Sequence, residues 1–153
     1  MSSHDYKAFA KTLAGSSIFH NMPSEVLEDL LKAAKISDLK PGSNAMEEKL
    51  IRMPGLVVIL TGKLVIKKTD KGKITEVGPG NFLGEVSLFG MSLSPSATAE
   101  VLEDSTLVII HRDTLEKWFE RFPYTEALFF RYLSTELCNR LYSTTELLAQ
   151  QKK

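Results

Sequence analysis

Cysteine is nearly absent from this 153-residue chain. With Cys138 alone no intramolecular disulfide can form, which removes the disulfide-stapled folds from consideration. Histidine is almost as scarce. His4, His20 and His111 stand singly, and no His/Cys or paired-carboxylate spacing suggests a triad or a metal site, so an enzyme is not expected. Excess charge of one sign is missing too: Lys plus Arg and Asp plus Glu both number 19. No overall basic field therefore draws the chain to nucleic acid or to an anionic membrane. The longest purely apolar runs are only a few residues, 56–60 being typical, and the Met1 end has no charged-then-apolar signal pattern. Export and membrane insertion are not expected, and the chain reads as cytoplasmic. What remains is one domain over 1–153, large enough to bury a core.

Residues 1–38 read as a helical lead-in. Phe9, Leu13, Ile18 and Phe19 are apolar, and Val26, Leu27, Leu30, Leu31 and Ala34 fall on one helical face. Pro23 and Glu25 suit the first turn of that second helix. Over 39–111 the texture changes. Eight of the nine glycines lie between Gly42 and Gly90 and separate short apolar runs at 50–51, 56–60, 64–66, 74–77 and 82–86. That punctuation predicts an all-β sandwich or barrel, with two more strands at 97–102 and 106–110. Thr61-Gly62 and Thr69-Asp70-Lys71-Gly72 are turn chemistry, and Leu64 and Ile66 alternate with Lys63, Val65 and Lys67 as a half-buried strand does. Lys63, Lys67, Lys68, Lys71 and Lys73 read as a solvated hairpin rather than a nucleic-acid surface, because no aromatic residues interleave them.

Over 113–150 the period is helical. Asp113-Thr114-Leu115-Glu116 has capping-box form, with Asp in place of Ser or Thr, and opens a short helix carrying Trp118 and Phe119. Arg121-Phe122-Pro123 ends it, and Pro123 opens the next. From there to 150 neither Pro nor Gly occurs, which predicts a helix of roughly 28 residues and about 40 Å. Phe130, Leu133, Leu137, Leu141, Thr144 and Leu148 recur at steps of three and four, the seam of a coiled coil. The first half of this face suits packing on the chain's own strands. Beyond Leu141 the helix reaches past what a small domain can cover, so the seam predicts a parallel homodimer.

The most specific local pattern is Phe82-Leu83-Gly84-Glu85 with Val86, Ser87 and Leu88, followed at a fixed distance by Ser96-Ala97. It resembles the phosphate-binding cassette of cyclic-nucleotide-binding domains. The order of elements from about 18 to 150 is similar to the sensor domains of the catabolite activator group. The resemblance implies a mainly β fold with flanking α, a double-stranded β-helix (jelly roll) with N-terminal helices and a long C-terminal dimerisation helix. It implies that Gly84 and Glu85 meet the ribose and phosphate of a cyclic nucleotide, and that the turn at Val86 and Ser87 offers backbone N–H groups to the anion. Ser96, beside Ala97, would donate to the phosphate, and Thr144-Thr145 would take the place of a base-contacting Thr-Ser pair.

Pro95 departs from the family pattern. The resemblance places an arginine there that grips the phosphate, and proline has neither a side-chain donor nor a backbone N–H. Leaving a buried charge without its partner costs roughly 3–5 kcal/mol, on the order of a hundred- to several thousand-fold in affinity. The stretch 74–111 contains no Lys or Arg, so a replacement has to come from Arg52, Lys63 or a second subunit. Two readings follow. One is a stand-alone homodimeric module that engages another protein, its nucleotide binding weak or lost. The other is a sensor of a cyclic nucleotide (cAMP or cGMP) or a related ligand that manages without the arginine. No cofactor is implied beyond such a ligand. Transcription factors of this group continue into a helix-turn-helix domain, and the sequence stops at 153 without one, so DNA binding is not expected.

Overall fold

In the computed structural model, which describes residues 5–46, 55–68, 72–84 and 98–151, the first helix is opened by Asp5. Its carboxylate accepts a hydrogen bond from the Ala8 amide at 3.1 Å, a side-chain cap on helix α1 (Tyr6–Ala14). The chain then turns on the buried Ser16, whose hydroxyl donates to the Leu13 carbonyl at 2.7 Å and accepts from the Phe19 amide at 3.3 Å. Helix α2 (Ser24–Ala33) follows Pro23 and buries Val26, Leu27, Leu30 and Leu31, the apolar face expected from its spacing.

The helical lead-in ends before 38. Ala34 is already extended, and Lys35–Leu39 forms strand β1, antiparallel to the last strand of the roll. Its backbone partners lie some seventy residues away, so composition near Lys35 does not signal it. The further strands are β2 (Asn44–Met46), β3 (Gly55–Thr61), β4 (Leu64–Lys68), β5 (Gly72–Val77), β6 (Phe82–Leu83), β7 (Thr98–Val101) and β8 (Ser105–His111). They form two four-stranded sheets, ordered β1-β8-β3-β6 and β2-β7-β4-β5, with antiparallel pairing throughout the described strands. The architecture is the expected jelly roll with flanking helices. The predicted run at 50–51 and the part of the 82–86 run after Gly84 lie outside the described residues.

Strand β3 explains why 56–60 is apolar without interruption. Alternate side chains of a strand point to opposite faces. Leu56, Val58 and Leu60 face the helices and join Phe82, Val108, Ile110, Trp118 and Phe129 in one core. Val57 and Ile59 face the second sheet and join Leu64, Ala99, Val101 and Leu107 in another. The strand is thus buried on both sides.

The β3–β4 turn depends on Gly62, which has a φ of 99° and whose Cβ, if present, would lie 2.0 Å from the Ser105 hydroxyl oxygen. That hydroxyl donates to the Glu103 carbonyl at 2.8 Å and accepts from the Lys63 amide at 3.1 Å, so it has little freedom to move aside. Gly62→Ala is expected to destabilise the fold by about 2–3 kcal/mol, from left-handed backbone strain and the lost hydrogen bonds together. Urea unfolding measures it; an unchanged midpoint would show that the turn relaxes at no cost.

At the other end β8 runs directly into helix α3 (Arg112–Arg121). His111 is the N-cap residue and Asp113 lies inside the first turn, so the helix starts two residues earlier than the Asp113 capping box predicts. The reason is the sheet: His111 still pairs with Gly55, which carries the extended backbone up to the helix. Trp118 is fully buried and its indole N–H donates to the Val26 carbonyl at 2.9 Å, tying α3 to α2. Arg121 adds a hydrogen bond from Nε to Asp29 at 2.9 Å. Helix α4 (Tyr124–Gln151) has 28 residues, a length of about 42 Å.

Candidate functional site

The cassette predicted from sequence starts where β6 ends. Phe82 and Leu83 pair with Val58 and Val57 of β3, and their side chains divide between the two cores. Gly84 then takes a φ of 85°, a left-handed conformation that a side chain disfavours. Among the predicted ligand-contacting residues of the cassette, Gly84 alone has a described backbone. Glu85, Val86, Ser87, Pro95, Ser96 and Ala97 lie outside the described residues, as does Arg52. Lys63 sits in the β3–β4 turn, exposed, with its carbonyl accepting from the Leu102 amide at 2.9 Å.

Helix α4 approaches the same strand. The guanidinium of Arg140 lies 4.4 Å from the centroid of the Phe82 ring, a cation–π contact made on the strand that leads into Gly84. Glu136, one turn earlier, accepts from Arg140 Nε at 3.3 Å. Four-residue spacing makes that ion pair legible in the sequence; the partner ring, 58 positions away, is not. Arg140 thus packs on the strand that leads into the cassette, a contact that no local pattern signals. Thr145, just over one turn further on, is exposed, and its hydroxyl donates to the Leu141 carbonyl at 2.9 Å. Thr144 lies on the same helix.

Leu133 of the predicted seam falls on a core-facing stripe of α4 with Phe129. Phe129 and Leu133 are buried in the chain's own core. At 100° per residue, Phe130, Leu137, Leu141 and Leu148 centre about 80° further round the helix than Phe129 and Leu133. Phe130 is 38% and Leu137 39% exposed, whereas Leu141 and Leu148 reach 68% and 55%. Leu133, predicted at the dimer seam, thus belongs to the core-facing stripe. Phe130 rests on Phe119 and Phe129, with ring centroids 5.7 and 5.3 Å apart.

Among the described residues no three His, Cys, Asp or Glu side chains cluster as metal ligands. No described helix is long and apolar enough to cross a membrane.

Comparison with known proteins fits this geometry. The catabolite activator protein of Thermus thermophilus superposes with a TM-score of 0.76 at 23% identity, over 90% of this chain and 63% of that one. This chain therefore spans less than two thirds of the Thermus protein. A cyclic nucleotide-binding domain from Methylobacillus flagellatus superposes with a TM-score of 0.77 at 19% identity, over 95% and 83% of the two chains. The N-terminal domain of a transcriptional regulator from Streptomyces coelicolor gives 0.72 at 22% identity, over 86% and 93%. At such identities these likenesses establish the fold. No curated protein sequence matches the chain. The family model for the cyclic nucleotide-binding domain matches residues 39–122, more than half of the sequence and the stretch that holds nearly all of the roll, and the chain belongs to that family.

Proposed function

We propose that this chain is a non-catalytic regulatory module of the cytoplasm that works as a homodimer through contacts with another protein, and that its cassette binds cyclic nucleotides weakly or not at all. Membership of the family supports a regulatory domain. Pro95 supports the loss of affinity, because it stands where the family's phosphate-gripping arginine is expected. The observation that carries dimerisation is the outer stripe of α4: the inner stripe is satisfied by the core, while Leu141 and Leu148 stay largely exposed. Large apolar side chains in a row on a helix are unfavourable in water and mark a surface that is covered in use.

Calorimetric titration with cyclic AMP and cyclic GMP tests the nucleotide half of this reading. The expected result is a dissociation constant far above the low-micromolar range of an intact cassette, or no heat at all. Low-micromolar binding by the natural sequence would overturn it in favour of a sensor whose phosphate donors come from Arg52, Lys63 or the second subunit.

A further inference from the structure

Among the described residues Leu133 is the last of α4 to enter a buried core, yet the helix continues to Gln151, about 27 Å further. At 100° per residue Arg140 extends the core-facing stripe of Phe129 and Leu133, about 10 Å along the axis from Leu133. A charged side chain thus stands where the stripe was apolar. Its guanidinium lies 4.4 Å from the Phe82 ring centroid, and Phe82 is only 3% exposed although β6 stands at the end of its sheet among the described strands. Phe82 is itself firmly held: it pairs with Val58 and belongs to the core that faces the helices. Glu136 accepts from Arg140 Nε at 3.3 Å, so the carboxylate takes one edge of the guanidinium while the cation rests on the ring.

We propose that Arg140 is a positioning residue for the dimer: its contact with Phe82 pins the distal half of α4 to the roll and so presents Leu141 and Leu148 to a second copy of the chain at one fixed angle. The inference rests on the homodimer proposed above. Arg140 lies about 80° round the helix from the centre of the outer stripe, so its effect on the seam runs through the direction of the helix. Held only as far as Leu133, the helix would pivot there, and a tilt of about 15° would carry Leu148 about 6 Å sideways. That displacement is comparable with the roughly 8–10 Å that separates packed helices. Two pivoting helices have to be ordered when they associate, whereas two pinned ones are ordered beforehand, and the dimer is tighter by that difference. The Phe82 ring is shielded from water and the Arg140 side chain is 42% exposed, which sets the strength of the contact between the exposed and the desolvated forms of a cation–π pair.

Sedimentation equilibrium of the full chain reads the dimer dissociation constant. Arg140→Gln is expected to raise it about tenfold, and Arg140→Lys, which keeps a cation over the ring, to leave it within about threefold of the natural value. Phe82→Leu removes the ring from within the protomer core and is expected to weaken the dimer as Arg140→Gln does, whereas Phe82→Tyr keeps the ring and the affinity. The decisive comparison is the double mutant: once the ring is gone, Arg140→Gln is expected to cost nothing further. A full loss from Arg140→Gln in the Phe82→Leu background would overturn the proposal by giving Arg140 a direct contact with the second copy. Natural affinity in Arg140→Gln, or equal losses in the Gln and Lys variants, would overturn it too. The contact is also read without any change at Phe82, by nuclear magnetic resonance of the Leu141→Glu, Leu148→Glu protein: the Arg140 Nε–H is expected to be displaced by the ring current of Phe82, and a resonance like that of a free arginine would overturn the proposal. A monomeric natural protein would remove the dimer on which the inference rests, whereas a dimer indifferent to Arg140→Gln would remove the inference alone.

Discussion

Replacing Leu141 and Leu148 together with glutamate is expected to yield a folded monomer. The two positions lie seven residues apart on the outer stripe of α4 and are 68% and 55% exposed within the protomer. Neither is part of the chain's own buried cores, so the substitutions leave intramolecular packing intact. In a parallel pair of helices the same residues face their copies across the seam. Two leucines on each of two chains would lose a burial worth about 1.5–3 kcal/mol apiece, and four carboxylates would be brought together in their place. The combined effect, on the order of 6 kcal/mol or more, shifts the dissociation constant by at least four orders of magnitude. Light scattering reads the mass, and far-UV circular dichroism confirms that the helix persists. A double mutant that stays dimeric would place the interface elsewhere, and a monomeric natural protein would remove the dimer from the proposed function. Leu133→Glu makes an instructive contrast: Leu133 is 4% exposed and sits in the protomer core, so that change is expected to unfold the domain rather than separate two folded chains.

Pro95→Arg is expected to create cyclic-nucleotide binding where the natural sequence has little. On the proposed reading of the cassette, Gly84, Glu85, Ser96 and the Thr144-Thr145 pair stand at the spacings of the family pattern, and the substitution supplies the donor that this reading lacks. A guanidinium makes two parallel charge-assisted hydrogen bonds to a phosphate, and such contacts made away from water are worth roughly 2–4 kcal/mol. The gain in affinity is therefore about thirtyfold to a thousandfold. Adding Glu85→Ala is expected to remove much of that gain, because on the same proposed reading the carboxylate would accept from the ribose hydroxyl. Proline also holds its own φ and biases Ser94 toward an extended backbone. A well-folded Pro95→Arg protein without cyclic-nucleotide heat would therefore mean that the loop has moved to a shape from which an arginine cannot reach the phosphate. The protein-interaction reading would then gain.

Most of the architecture was legible because it is written in local patterns. Glycine-separated runs marked β3, β4 and β5 to within a few residues, the stretches 97–102 and 106–110 marked β7 and β8, and the long interval without Pro or Gly marked α4. The misreadings share a cause. β1 at Lys35–Leu39 is a strand because Ser105–Ile109 supplies its hydrogen-bond partners, and β2 at Asn44–Met46 is held by β7 in the same way. The start of α3 at Arg112 follows from the pairing of His111 with Gly55. In each case the deciding bond joins residues far apart in the chain, and a short segment carries no record of it.

The candidate site divides in the same manner. Identity at a position is a property of the sequence alone: proline at 95, threonines at 144 and 145, leucines at 141 and 148. Exposure and proximity are not. The alternation of 56–60 between two cores, the division of the α4 seam into an inner stripe ending in Leu133 and an outer one through Leu141, and the placement of Arg140 on Phe82 all depend on which surfaces the fold presses together. Residue type sets what a side chain can donate, accept or bury, whereas tertiary packing sets which of those capacities are already used within the chain and which are left for a partner.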